Sequence, residues 1–150
     1  MSLTVFEGLQ SEIYVPITPK SIFMPVTKPL SEMTIALASA CGAHLKSDAR
    51  FNLAGDTSFR EIPDDTPTSE LMISHGGYDN SDANRDINCM FPLDRLHELV
   101  KEGFIKATAP THFGFMGGGG DQEAFHDKTG PEIARRLKEE GVDGVLLTAG

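Results

Sequence analysis

The sequence predicts an α/β domain with a mostly parallel sheet flanked by helices, Rossmann-like in kind, and three observations carry that prediction. Residues 33–39 (MTIALAS) are a continuous apolar run of strand length, the pattern of a strand buried on both faces rather than one. Residues 92–102 and the segment after Thr129 each combine a helical apolar stripe with a glycine just past the end, Gly103 and Gly141. The second of these helices runs through a short loop into the apolar segment 142–147, and helix, glycine, loop, strand is the order of elements in an α/β domain.

Taken in order, residues 1–30 form an extended N-terminal arm, and residues 31–150 form the α/β domain. Pro16, Pro19, Pro25 and Pro29 forbid a long helix in the arm and bias the residues before them toward extended backbone. The first strand is 33–39. Residues 42–70 carry loop signals in Gly55, Pro63, Asp64, Asp65 and Pro67 and show no helical period. A second, short strand is expected at 71–74, followed by the turn-rich stretch 75–82. The helix at 92–102 opens with Pro92 and Asp94, which suit a first turn, and buries Leu93, Leu96, Leu99 and Val100. A third strand is expected at 104–109. Thr129 and Glu132 have the spacing of a capping box, and the helix behind them is expected to bury Ile133, Ala134 and Leu137. The fourth strand, 142–147, follows.

Composition narrows the function classes. The 150 residues are 39% hydrophobic and 23% charged, which is the balance of a globular chain. Net charge is −9, shared between both halves, so neither nucleic acid nor an anionic membrane is expected as a partner. No apolar run approaches a membrane span, and the N-terminus lacks the basic and apolar regions of a signal peptide. Cys41 and Cys89 form no metal or redox motif and read as packing residues, which suits a reducing cytoplasm.

Ligands of open α/β sheets bind beyond the carboxyl ends of the strands. Three of the five histidines follow expected strands: His44 after the first, His75 after the second, His112 after the third. Tyr78 and Asp79 accompany His75, and Thr148 and Gly150 follow the fourth strand. His75, Tyr78, Asp79, His112, Thr148 and Gly150 are therefore the pocket candidates, though structural hydrogen bonding is an equally good reason for a loop histidine. His97 and His126 read as surface residues on helices. The glycines at 117–120 suit a flexible turn, or backbone N–H groups approaching an anion, but match neither a P-loop nor a dinucleotide fingerprint. The acidic residues Asp79, Asp82 and Asp86 fit no metal-site spacing, and no metal is expected.

Several long segments carry a family resemblance. GLQSEIYVPITP and PVTKPL within residues 2–30, SHGGYDNSDANRDINCMFPLDRL at 74–96, APTHFGFMGGGGD at 109–121 and GPEIARRLKEEGVDGVLLTAG at 130–150 resemble the selenoprotein B family of the glycine, sarcosine, betaine and D-proline reductases. The short stretch ahead of LLTAG resembles the D-proline type; glycine-type subunits carry a longer region there. The resemblance implies a selenocysteine immediately after Gly150, encoded by a UGA codon that a gene reading can mistake for a stop, so that the 150-residue chain by itself lacks the family's catalytic residue. It further implies reductive cleavage of the D-proline ring C–N bond to 5-aminovalerate. A selenolate attacks Cα, a pyruvoyl group on a partner subunit draws electron density from the C–N bond, and an electron-donor protein or dithiol regenerates the selenolate. His75 and His112 would then handle a proton for the leaving nitrogen. A hetero-oligomer in the cytoplasm follows. Two other readings stay open: a B subunit of glycine, sarcosine or betaine reductase, and a non-catalytic docking or small-molecule-binding α/β domain.

Overall fold

A computed structural model of the chain describes residues 24–117 and 121–149. The N-terminal arm lies outside the described residues up to position 23, and residues 24–29 carry neither helix nor strand.

The core is a five-stranded sheet, mostly parallel. Strand β1 (Thr34–Ser39) is central. On one side it pairs along its whole length with β7 (Gly144–Thr148), in parallel, with Ser39 opposite Thr148. On the other side it pairs first with β5 (Ala107–Thr108) and then with β6 (Thr111–Phe115), both parallel. Strand β3 (Phe59–Pro63) runs antiparallel on the outer edge of β6. Two short strands, β2 (Ala43–Leu45) and β4 (Leu71–Ile73), form a separate antiparallel ribbon.

The apolar run of β1 divides its side chains between two cores, because successive residues of a strand face opposite ways. Leu37 and Ile35 pack with Leu93 and Leu96 of helix α1 (Leu93–Lys101). Ala36 and Ala38 pack with Phe113, and with Ile133 and Leu137 of α3 (Gly130–Glu139). One helix therefore covers each face, which is why β1 reads as continuously apolar. Both helices end at glycines in the left-handed region, Gly103 at φ 73° and Gly141 at φ 72°.

Four expectations need correction. The second strand exists as β4, but it belongs to the ribbon and not to the parallel sheet, because β2 leaves the sheet through Gly42 and pairs with it. The third strand is broken. Only Ala107–Thr108 pair as β5, Pro110 interrupts, and the main partner of β1 on this side is β6, in a segment read as loop. The capping box at Thr129 does not form. Helical backbone begins earlier, at the short α2 (Gln122–Ala124) capped by Asp121, and passes through a π turn (Phe125–Thr129) into α3. Thr129 is thus already helical and its hydroxyl donates to Thr57 O, while Glu132 accepts from Arg135 and Arg136. Ala134 is exposed on α3.

Strand β7 has Val145, Leu146 and Leu147 exposed, Leu147 at 71%. No helix among the described residues is long and apolar enough to cross a membrane.

Candidate active site

The carboxyl ends of β1, β6 and β7 meet at one edge, and a chain of hydrogen bonds ties that edge together. The carbonyl of Met90 accepts from the Thr148 hydroxyl at 2.7 Å and from the Ser39 hydroxyl at 3.4 Å. Ser39 Oγ in turn accepts from the backbone N–H of Cys41 at 3.2 Å. The carbonyl of Cys41 accepts from the Tyr78 hydroxyl at 3.0 Å. The Tyr78 ring stacks on His75 with centroids 4.6 Å apart. His75 reaches across to β6's end, where its Nε2–H donates to Gly117 O at 3.0 Å. Its Nδ1 accepts from the N–H of Gly77 at 3.0 Å. These two partners assign a neutral imidazole with the proton on Nε2.

Local sequence explains why the chain folds this way. Gly42 turns the backbone out of the sheet at φ 77°, and a Cβ there would stand 2.3 Å from the carbonyl oxygen of Ser74. Gly114 lies so close to the ribbon that a Cβ would stand 1.9 Å from Ala43 O. The glycine in THFGF thus lets β2 cross over β6 and deliver the segment bearing His75 and Tyr78.

Electrostatics at the edge favour neutral groups. Burial pushes the Tyr78 phenol up to about 12, with smaller contributions from Cys41 and Cys89, so it stays a hydrogen-bond donor. Burial likewise pushes the Cys41 thiol up, which suits the packing role expected of it. Cys89 is exposed beside Met90, contrary to the packing role expected of it.

His75, Tyr78 and Thr148 come together at this edge. Asp79 does not join them. It is exposed, its carboxylate accepts from Ser81 N within its own turn, and that bond holds it below the usual carboxylate range. His112 does not join them either. It lies within β6, fully buried beneath α1, with Nδ1 accepting from Leu37 N at 2.9 Å and Nε2–H donating to Asp64 at 2.9 Å. Asp64 also accepts from His97 and Thr108. His97 is therefore half-buried and bonded rather than a plain surface residue, whereas His126 is exposed. His44 is buried in the ribbon against Ser74. The three histidines expected to gather are thus dispersed, because β4 is not a strand of the sheet and His112 is inside β6 rather than after it. Gly118 to Gly120 and Gly150 lie outside the described residues. Among the described residues, no three His, Cys, Asp or Glu side chains are grouped to hold a metal.

Two cavities adjoin the His75–Gly117 hydrogen bond, His75 lining one and Gly117 the other. One, of about 350 Å³, is lined by Arg50, Phe51, Leu53, Ser74, His75 and Asn80 among others. The second, of about 450 Å³, lies beyond Gly117 and is walled by Phe115, Met116 and Phe125 with Asp56 and Asp121 at its rim. Ser39, Met90 and Arg50 were not singled out from sequence. Their contribution rests on a hydroxyl, a backbone carbonyl and a loop guanidinium, none of which has a local sequence signature.

The family described as glycine/sarcosine/betaine reductase selenoprotein B matches residues 6–150. The chain belongs to this family. It is 68% identical over 148 residues to D-proline reductase subunit gamma of Acetoanaerobium sticklandii, a match covering 99% of this chain and 61% of that protein. It is 31% identical to glycine reductase complex component B subunit gamma of Carboxydothermus hydrogenoformans, covering 95% of this chain and 34% of the relative. Betaine reductase complex component B subunit beta of Peptoclostridium acidaminophilum is 31% identical with the same coverage, 95% and 34%. The chain thus spans less than two thirds of each of these selenoprotein B relatives. No solved structure matches it.

Proposed function

We propose that this chain is the part of a D-proline reductase subunit that shapes the substrate edge, in a complex that opens the ring of D-proline to 5-aminovalerate. The identity of 68% to a D-proline reductase subunit, against 31% to the glycine and betaine relatives, supports that substrate over the alternatives. The observation that carries the reading is the anchoring of Thr148 to the Met90 carbonyl, in register with Ser39, at the edge that also holds His75 and Tyr78.

When present, a selenocysteine following Gly150 supplies the nucleophile and a pyruvoyl group on a partner subunit the electron sink. The edge fits such a nucleophile: three residues beyond Thr148 is a reach of about 10 Å at most, and none of the side chains in the hydrogen-bonded chain is a carboxylate that would repel an anion. Thr148 and Ser39 fix the backbone from which that residue departs. Tyr78, kept protonated, holds the Cys41 carbonyl and backs the His75 ring. His75 has both ring nitrogens engaged, so giving a proton to a leaving nitrogen requires it to release Gly117 O. Overall, D-proline and a dithiol become 5-aminovalerate and a disulfide; the ring C–N bond breaks and the two electrons come from the dithiol. The complex is read as cytoplasmic.

The test is reconstitution of the full-length subunit with its pyruvoyl partner and dithiothreitol, scoring 5-aminovalerate. Turnover of D-proline and not of glycine, sarcosine or betaine is the expected result. A chain ending at Gly150 should be inactive under the same conditions, and 5-aminovalerate from it would overturn the selenium assignment.

A further inference from the structure

The chain holds 13 basic side chains against 22 acidic ones, so a guanidinium has no shortage of carboxylates to pair with. Arg85 and Arg95 each pair with one, and Arg135 and Arg136 each with two. Arg60 instead donates to the carbonyl of Ala49 at 3.1 and 3.0 Å and lies 4.3 Å over the Phe51 ring. Arg50, between those two residues, has no hydrogen bond or ion pair among the described residues, and it borders the 350 Å³ cavity.

Its backbone is nevertheless held from both sides. The Ala49 carbonyl is fixed by Arg60, and the Phe51 ring is 4% exposed, packed edge-on against His44 at 5.8 Å. Arg50 itself is exposed and sits at the rim of this cavity. An unpaired guanidinium on a fixed backbone at such a rim is what a carboxylate subsite requires, because the guanidinium fork matches both carboxylate oxygens. The same cavity is lined by Asn80, whose side-chain amide makes only a 3.4 Å contact with His75 O. Phe51, Leu53 and Met72 give the cavity an apolar wall suited to a small hydrocarbon ring, and His75 is shared with the edge described above.

We infer that this cavity is the subsite for the carboxylate of an amino-acid substrate, with Arg50 as its anchor. The inference rests on the reading above that the complex acts on an amino acid, and it adds which group of the substrate is held and where. A carboxylate on Arg50 places the rest of a proline-sized molecule along the apolar wall, with its ring directed toward His75.

The test uses the full-length subunit in its complex. Arg50→Gln should raise KM for D-proline about 30-fold while kcat changes little, with Arg50→Lys between the two, since lysine keeps the charge and loses the fork. Inhibition by cyclopentanecarboxylate should be lost in Arg50→Gln, whereas inhibition by pyrrolidine, which has the ring nitrogen and no carboxylate, should persist. Arg95→Gln on α1 controls for the loss of one positive charge and should change neither. Unaltered KM and unaltered cyclopentanecarboxylate inhibition in Arg50→Gln would overturn the inference. Should the wild-type complex not reduce D-proline, the functional reading fails, and the subsite is then judged by thermal shift. A cyclopentanecarboxylate shift that Arg50→Gln abolishes upholds it, and no shift, or one that survives the substitution, overturns it.

Discussion

The backbone N–H of Leu37 in the central strand donates to the imidazole of His112, not to a neighbouring strand, at 2.9 Å. Strand β5 ends at Thr108 and β6 begins at Thr111, and Pro110 between them interrupts the ladder. The His112 side chain fills the gap, accepting on Nδ1 and passing its Nε2–H to Asp64. His112→Ala leaves a buried N–H without a partner and opens a void. We expect a loss of about 2 kcal/mol or more in urea denaturation, with catalysis by the surviving folded complex little changed.

The same contact sets an acid sensitivity. Burial pushes His112 below its ordinary 6.5, and the hydrogen bond to Asp64 only partly opposes it. The unfolded chain therefore binds a proton more readily than the folded one. The stability from neutral His112 is complete above about 6.5 and is lost as pH falls from there toward the lowered folded value. Asp64 adds a second loss lower down. Burial raises it, but the bonds from His112, His97 and Thr108 outweigh that and leave it lowered, so its contribution fades as pH falls below the ordinary carboxylate value. Urea midpoints between pH 7.5 and 5 should fall in the wild type, and a His112→Asn variant should show a shallower slope.

Tyr78 offers a spectroscopic check on the edge. The chain has two tyrosines, Tyr14 and Tyr78. An ultraviolet titration of phenolate should resolve one group only near pH 12, absent in Tyr78→Phe. The variant should also lose about 1 kcal/mol with the bond to the Cys41 carbonyl. A Tyr78 that ionises near 10 would mean that its ring is not packed on His75 as described.

Thr148→Val removes the hydroxyl that reaches Met90 and keeps the shape. In the full-length complex kcat should fall about tenfold, and Thr148→Ser should restore most of it. A loss in Thr148→Ser with Thr148→Val unimpaired would show that the methyl, not the hydroxyl, matters.

Gly114→Ala tests the crossing of the ribbon over β6. The added methyl meets the Ala43 carbonyl, and neither backbone can retreat without breaking a strand pairing. A loss of about 3 kcal/mol or more is expected, read as a lowered melting temperature or loss of soluble protein.

What was legible in the sequence was whatever packing wrote into side-chain type. Strand β1 declared itself because both its faces are buried, and α1 and α3 because their stripes and closing glycines follow from one apolar face each. The segment FREIP became β3 and THFGF became β6 for reasons outside their own residues: β6 is a strand because β1 and β3 flank it, and its histidine and glycine read as loop chemistry. That one misreading moved His112 from the strand ends into the interior. His75, Tyr78 and Thr148 were found because they do follow chain segments that end at the edge. Arg50 was missed because an unpaired arginine is defined by the absence of neighbours, which only coordinates display.

The proton-sensitive pair of Asp64 and His112 belongs to the start of β6, while Thr148 ends β7 at the far edge of the same sheet. Selection can therefore act on the two independently. Residues at the first place can be exchanged without touching the bond that holds Thr148, and the second place can be rebuilt without altering how the fold responds to acid.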